Sequence, residues 1–279
     1  MTTISLDDYV TFDHKQDGLT RRVFRRGSGP AIILIHELPN LTLAVVSLAE
    51  SFIEAGFTVY LPSLVGEPGL RPNFFQSLGN TYSVCVSQEF RQGISHDGDA
   101  PIVHWLQSLA RKVDPAGPVG MMGLCFSGGF ALAAASDPVV AGAVACEPSL
   151  PLFSPHDLGV ALETIDAIKV RQVPVRVYRF EGDTVSPCER MVGLAKAFGE
   201  VAKGGCLPDS AANPAYTHKP HHHSVVTNHL IEAPGEPTLF VRNEIIAFFK
   251  WRLSGGPQPT GTHQSLRDCF SLGCKFGKH

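Results

Sequence analysis

The sequence predicts an α/β protein with a mostly parallel central sheet and helices on both faces. Two apolar runs, residues 31–35 and 57–61, are too uniformly hydrophobic for strands with one face in water. Residues 43–55 between them have helical periodicity, and such a strand-helix-strand unit implies parallel pairing through a right-handed crossover. The same order returns further along, where an apolar strand at residues 119–122 leads into an Ala- and Leu-rich helix at residues 127–135.

The chain before the first of these strands predicts an N-terminal hairpin over about residues 4–26. Its strands, residues 4–12 and 19–25, alternate apolar and polar side chains around Asp17-Gly18. Between residues 63 and 96 the periodicity fades and glycine and proline are frequent. Because loops of this length are usually functional, we expect a cap over the site, with a poorly ordered insertion as the alternative.

The remaining elements continue the alternation of strands and helices. We expect helices at residues 97–111, 187–201 and 237–253, strands at 141–145 and 173–180, a loop rich in Gly, Pro and Asn at 204–220, and a tail at 254–279. With 279 residues and no internal repeat, the chain suits one domain over residues 1–253.

The charge balance points to a small-molecule substrate. Lys and Arg number 23 against 26 Asp and Glu, and no basic run suggests a nucleic-acid surface. No apolar run reaches the ~20 residues of a membrane span. We therefore expect no nucleic-acid or membrane partner, and a monomer or small homo-oligomer.

The seven cysteines are odd in number, scattered, and not preceded by a secretory segment, which favours reduced thiols in the cytoplasm. Cys269 and Cys274 lack the second ligand pair of a zinc site, so we expect neither a metal nor another cofactor.

Cys125 lies where the strand at 119–122 meets the following helix, which is the shape of a nucleophile elbow. The run Gly123-Leu124-Cys125-Phe126-Ser127-Gly128-Gly129 keeps small side chains near a strained turn that can point a nucleophile outward. The first amides of the helix, including that of Phe126, would face the space beside the sulfur. The alternative is a buried small hydrophobe beside glycines that merely pack a helix on a sheet.

A cysteine nucleophile needs a base, and the base needs an acid that fixes its tautomer. In an open parallel sheet such partners gather beyond the carboxyl ends of the strands. Asp183 follows the strand at 173–180 on a turn, Glu37 follows the strand at 31–35, and several histidines precede the last helix. The structural alternatives are that Asp183 is an ordinary turn residue and that Glu37 forms a salt bridge with a neighbour.

At these positions the sequence resembles the dienelactone hydrolase family of α/β-hydrolases over most of residues 30–253. The resemblance is carried by Ile35-His36-Glu37-Leu38, Ala55-Gly56-Phe57-Thr58-Val59-Tyr60-Leu61-Pro62, Gly123-Leu124-Cys125-Phe126-Ser127-Gly128-Gly129 and Glu181-Gly182-Asp183. It implies the α/β-hydrolase fold and a Cys-Asp-His triad of Cys125, Asp183 and a histidine.

For the histidine, the resemblance favours His223. In the family this residue is followed by a small residue and then by an Asn-Glu pair in the last helix, as Ser224 and Asn243-Glu244 follow here. His222 and His229 remain the alternatives.

The resemblance also implies that Glu37 holds Cys125 as a resting thiol and takes its proton when substrate binds. The amides of Phe126 and Leu38 would form the oxyanion hole. Family members that cleave dienelactone hold the substrate carboxylate with arginines, one of them four residues after the histidine, where this chain has Thr227. Arg71 and Arg91, in the 63–96 segment, are the candidate substrate-binding residues here.

The function expected from these residues is hydrolysis of a small-molecule ester or lactone through a cysteine thioester. Transfer of the acyl group to another acceptor would use the same triad. A catalytically silent scaffold that binds a small ligand in the same pocket is the third possibility, because fold does not fix function.

Overall fold

A computed structural model describes residues 5–69, 90, 100–114, 117–150, 156–217 and 222–259. Its strands are β1 Val10–Gln16, β2 Leu19–Gly27, β3 Ala31–Ile35, β4 Thr58–Pro62, β5 Val119–Leu124, β6 Val140–Cys146, β7 Val175–Phe180 and β8 Ala202–Leu207. Its helices of more than one turn are α1 Leu43–Glu54, α2 Pro101–Val113, α3 Gly128–Ala134, α4 Leu162–Val170, α5 Cys188–Phe198 and α6 Pro237–Ser254.

The strands form one sheet in the order β1-β2-β4-β3-β5-β6-β7-β8, and the six strands from β4 to β8 pair in parallel. The hairpin β1-β2 adds the two antiparallel pairings at one edge. Apolar side chains of α1 and α6 pack on one face, and those of α2, α3, α4 and α5 on the other. The predicted mostly parallel α/β architecture is therefore confirmed.

The hairpin differs from the prediction in where its first strand lies. Strand β1 runs to Gln16, which pairs with Leu19 across the two-residue turn Asp17-Gly18. Both turn residues have positive φ, +49° and +80°, the backbone of the tight turns that match strand twist. The turn thus sets the register between β1 and β2, and the predicted strand at residues 4–12 was placed too early.

Two elements were missed. Strand β8 occupies the start of the predicted loop at 204–220. Gly204, which suggested a loop, is a glycine in a strand because a Cβ there would be 1.8 Å from the Val177 carbonyl oxygen of β7. Helix α4 carries few buried side chains, Ile165 and Ile168 among them, so it has little amphipathic pattern. Helix α2 begins at Pro101 rather than at 97, since Ala100 is extended and residues 97–99 lie outside the described part.

Strands in the parallel part of the sheet position the site. β3, β5 and β7 are parallel members of the sheet, so Glu37, Cys125 and Asp183 follow strand ends that lie on one edge. Most of the predicted cap at 63–96, and the tail beyond residue 259, fall outside the described residues.

Candidate active site

Cys125 lies at a strained turn between β5 and the one-turn helix Cys125–Ser127 that precedes α3. Its φ is +54°, a conformation that non-glycine residues adopt at a cost of roughly 1–3 kcal/mol. The turn closes so tightly that a Cβ on Gly123 would be 2.3 Å from the Ser127 carbonyl oxygen. The side chain of Cys125 is mostly buried, with 8 % of the residue exposed. This is the geometry expected of a nucleophile elbow.

Ser127 fixes the elbow to the end of β3. Its fully buried hydroxyl accepts a hydrogen bond from the Leu124 amide at 2.9 Å and lies 3.1 Å from the carbonyl oxygens of both Ile35 and His36. The segment that carries Glu37 and Leu38 is therefore held in a fixed position relative to Cys125 and Phe126. This role could not be predicted from the sequence, because a serine in a glycine-rich turn has no distinctive pattern.

His36 joins the same segment to the end of β4. The Leu64 amide donates to its Nε2 at 3.0 Å, so the proton is on Nδ1, which lies 2.7 Å from the Glu37 carbonyl oxygen. The imidazole is completely buried, and burial lowers the pKa of His36 to about 4. His36 is therefore neutral at physiological pH and serves as a fixed link.

Asp183 and His223 form a buried pair. Asp183 Oδ2 lies 2.7 Å from His223 Nδ1, and its other oxygen accepts hydrogen bonds from the amides of Val185 and Ser186 at 2.9 and 3.0 Å. The guanidinium of Arg179 donates to the carbonyl oxygens of residues 181, 183 and 186, which holds the turn that carries the acid. The acid thus fixes one nitrogen of the imidazole and leaves Nε2 for another group.

The Nε2 side of His223 faces Cys125. Burial by itself lowers the pKa of His223, but the neighbouring Cys125 and the bond to Asp183 raise it well above its ordinary value. Within the described residues, His223 Nε2 is buried and has no hydrogen-bond partner. A base with a raised pKa beside a sulfur is the arrangement that lets a thiol lose its proton.

The two alternative histidines do not bond to Asp183. His229 Nδ1 accepts from the Ser224 amide at 3.2 Å, and its ring packs against Tyr216, so it supports the segment after His223. His222 has a φ of +51° and lies against the rings of Phe180 and His229. Of the candidates in the described chain, His223 alone pairs with the predicted acid.

Glu37 is buried near the Asp183–His223 pair, and its hydrogen bonds go to the segment after His223 rather than to the Cys125 sulfur. Its carboxylate accepts from the hydroxyls of Ser224 at 2.6 Å and Thr227 at 2.5 Å, with the Asn228 amide nitrogen 3.5 Å away. Burial raises the pKa of Glu37, and the two hydroxyls and the charge of His223 offset part of that rise. Its hydrogen bonds in this conformation go to Ser224, Thr227 and Asn228 and not to the Cys125 sulfur, and a role of Glu37 in holding the resting thiol stays a prediction.

Ser149 occupies the place expected of Glu37. Its hydroxyl oxygen lies 3.3 Å from the Cys125 sulfur, and its amide donates to the Cys125 carbonyl oxygen at 3.1 Å. Ser149 follows β6 and is 1 % exposed, so the contact is shielded from water. The sequence could not identify it, because only the folded sheet brings the β6 loop beside the elbow.

Other predicted features have different outcomes. Arg71 and Arg91 lie outside the described residues.

Cys188 and Cys206 are disulfide-bonded, so the expectation that all cysteines are reduced is wrong for these two. Across the described ranges, no cluster of His, Cys, Asp and Glu suits a metal ion, and no helix is long and apolar enough to cross a membrane.

Comparison with known proteins adds the family relationship. The model of the dienelactone hydrolase family matches residues 21–201, a range that includes Cys125 and Asp183 and ends before His223. No curated protein sequence matches the chain.

Solved structures show the fold. The chain is similar to a dienelactone hydrolase from Anabaena variabilis, with 15% identity, coverage of 88% of this chain and 98% of that one, and a TM-score of 0.52. It is also similar to a soluble variant of monoglyceride lipase from Saccharomyces cerevisiae, with 11% identity, 90% and 97% coverage, and a TM-score of 0.58. At such identities the likeness establishes the α/β-hydrolase fold, as predicted.

Proposed function

The chain belongs to the dienelactone hydrolase family of hydrolases, and on this premise we propose that it cleaves a small-molecule ester or lactone through a thioester on Cys125. The observation that carries the proposal is that a strained cysteine and a buried histidine lie at one edge of the sheet, with the histidine 2.7 Å from its aspartate. These three groups have the roles of nucleophile, base and orienting acid.

In the first half of the reaction, Glu37 takes the thiol proton of Cys125 and passes it to His223 Nε2, and the Cys125 sulfur attacks the carbonyl carbon. The carbonyl oxygen becomes an oxyanion, which the backbone amides of Phe126 and Leu38 stabilise by hydrogen bonds. The carbon–oxygen bond of the ester then breaks, and His223 returns the proton to the leaving alkoxide. A lactone opens in the same step and stays attached as a hydroxyacyl thioester.

In the second half, water gives a proton to His223 while its oxygen attacks the thioester carbon. The thiolate leaves, takes the proton from His223, and the carboxylic acid is released. Asp183 holds the imidazole tautomer and stabilises its charged form throughout. The net change is one water consumed for each ester bond broken.

Glu37 is proposed to accept the thiol proton once it leaves Ser224 and Thr227. Its raised pKa suits a proton acceptor for a thiol better than an ordinary carboxylate would. The hydroxyl of Ser149 then serves as the partner of the sulfur at rest. Arg71 and Arg91 remain predicted substrate-binding residues.

Turnover of short p-nitrophenyl esters and simple lactones tests the proposal. We expect Cys125→Ala to lose activity, and Cys146→Ala to keep it, because Cys146 is the other free cysteine among the described residues and has no role in the reaction. Mass spectrometry of quenched reactions should find the acyl group on the wild-type protein and not on Cys125→Ala. If Cys125→Ala keeps more than about a hundredth of wild-type kcat, the nucleophile is wrong.

Added alcohols and thiols separate hydrolysis from acyl transfer. Hydrolysis predicts the free acid as the main product even with acceptor present, whereas a transferase would form the acylated acceptor. A scaffold without activity would show neither product and no acyl adduct.

Cellular location and assembly stay predictions. A monomer or small homo-oligomer in the cytoplasm is our expectation from the sequence, but the disulfide-bonded Cys188 and Cys206 argue against a reducing compartment. Non-reducing mass analysis of protein isolated from cells would decide the compartment question.

A further inference from the structure

Glu147 is a completely buried acid at the site that the proposed reaction does not use. It directly follows β6, two residues before Ser149, and has a φ of +42°. Its amide donates to the Tyr178 carbonyl oxygen at 2.7 Å, which holds its backbone at the end of β7. The backbone of Glu147 is therefore fixed among the strand ends that carry the proposed triad.

The side chain reaches the segment that carries His223. Glu147 Oε2 accepts a hydrogen bond from the Val225 amide at 3.1 Å. The preceding residue, Ser224, is bonded through its hydroxyl to Glu37. Two acids from different strand ends thus hold consecutive residues just after His223.

The two oxygens of Glu147 differ. Oε1 is buried and makes no hydrogen bond among the described residues, whereas Glu37 accepts from two hydroxyls and Asp183 from two amides and the imidazole. A buried carboxylate with a single hydrogen bond is poorly stabilised. Of the three acids, Glu147 is the one whose anion the protein supports least.

The surrounding charges act in the same direction. Among the described residues, the titratable groups that act on the side chain are His223, Glu37, Asp183 and the neighbouring Cys146. Burial raises the pKa of Glu147 well above its ordinary value, the nearby acids add to this, and His223 and the Val225 amide offset only part. A proton on Oε1 would remove the unfavourable charge and leave Oε2 as the acceptor.

We propose that Glu147 is a positioning residue that carries a proton at neutral pH and holds the Ser224-Val225 segment so that His223 faces Cys125. The positioning role rests on the proposed hydrolase mechanism. The neutral form keeps the hydrogen bond to Val225 and adds no further anion beside the His223–Asp183 pair.

Infrared spectroscopy tests the proton. A protonated carboxyl has a carbonyl stretch at higher frequency than a carboxylate, and the band shifts in D₂O. We expect such a band in the wild type at pH 7, unchanged in Glu37→Gln and lost in Glu147→Gln. Absence of the band, or its loss in Glu37→Gln alone, would show that Glu147 carries no proton.

A pair of Glu147 variants tests the positioning. Glu147→Gln keeps an oxygen that can accept from Val225 and should retain wild-type turnover and the downfield NMR resonance of the His223 Nδ1 proton. Glu147→Leu removes the acceptor, and we expect that resonance to shift and kcat to fall on the order of 10²-fold with KM little changed. If Glu147→Gln loses activity as Glu147→Leu does, an anion is required and the proposal fails.

Folding and function can be separated. Circular dichroism of the two variants identifies a Glu147→Leu that does not fold, and Glu147→Gln together with the infrared band then still decides the proposal. Neither the band nor the NMR resonance needs turnover. If Cys125→Ala proves fully active, the hydrolase mechanism fails, while these two spectroscopic results continue to test the state of Glu147.

Discussion

Replacing His36 with glutamine should make the free energy of unfolding fall less steeply as the pH is lowered below neutral. His36 links the Leu64 amide to the Glu37 carbonyl and is neutral in the folded protein. When the imidazole is protonated, Nε2 can no longer accept the hydrogen bond from the Leu64 amide, and burial disfavours the positive charge on the ring. Glutamine offers a side-chain oxygen near the position of Nε2 but does not titrate in this range.

The magnitude follows from the two pKa values. The pKa falls from 6.5 to about 4 on folding, so the unfolded chain binds more protons between these values and stability rises with pH there. The contribution is complete above the unfolded pKa and is lost as the pH falls toward the folded one. At about 1.36 kcal/mol per pKa unit, the full loss is roughly 3 kcal/mol, of which about 2.5 kcal/mol is lost between pH 7.5 and 4.5.

Urea unfolding of the wild type and His36→Gln at several pH values from 7.5 to 4.5 measures this difference. Glu37 and Glu147 also titrate with altered pKa values, but they are present in both proteins, so the difference between the two curves isolates His36. The stability gap should change by about 2.5 kcal/mol in favour of the variant at the acid end. Parallel curves would refute the assignment of a neutral, pH-sensitive link to His36.

Three further predictions concern the reaction. His223→Ala should impair hydrolysis as severely as Cys125→Ala, and the double variant should be little worse, since triad members act as a unit; an active His223→Ala with an inactive His229→Ala would contradict the pairing. Ser127→Ala leaves the Leu124 amide without its hydrogen-bond partner, so the free energy of unfolding should fall by roughly 1–3 kcal/mol and kcat in steady-state assays should fall as well; unchanged values would rule out the link to β3. Glu37→Gln should lower kcat while KM is kept, because the amide preserves shape and removes the proton acceptor, and wild-type turnover in this variant would mean that His223 alone takes the thiol proton.

The sequence predicted the parts of the fold and site that have local patterns. Continuous apolar runs marked β3 and β5, and the glycines around Cys125 marked the turn that the structure contains. The pairing of Asp183 with His223 followed from the family resemblance and is present in the structure. Their catalytic roles stay predictions until variants are assayed.

What the sequence did not predict depends on contacts between distant segments. Strand β8 contains two glycines and resembles a loop, and close packing on β7 explains the glycine at 204. Glu147 and Ser149 follow β6 in a stretch without a distinctive pattern, and their proximity to Cys125 and His223 arises from strand order. The position of Glu37 depends on which hydroxyls the folded chain brings near it, and Thr227 is one of them.

The positive φ of Cys125 restricts what evolution can place at the elbow. Side chains branched at Cβ tolerate this backbone worst, so serine can replace cysteine there while threonine is excluded. Glycine adopts the same φ without strain, and Cys125→Gly should be more stable than Cys125→Ala by about 1 kcal/mol in urea unfolding. A lineage released from selection for chemistry would therefore gain stability by drifting to glycine at this position.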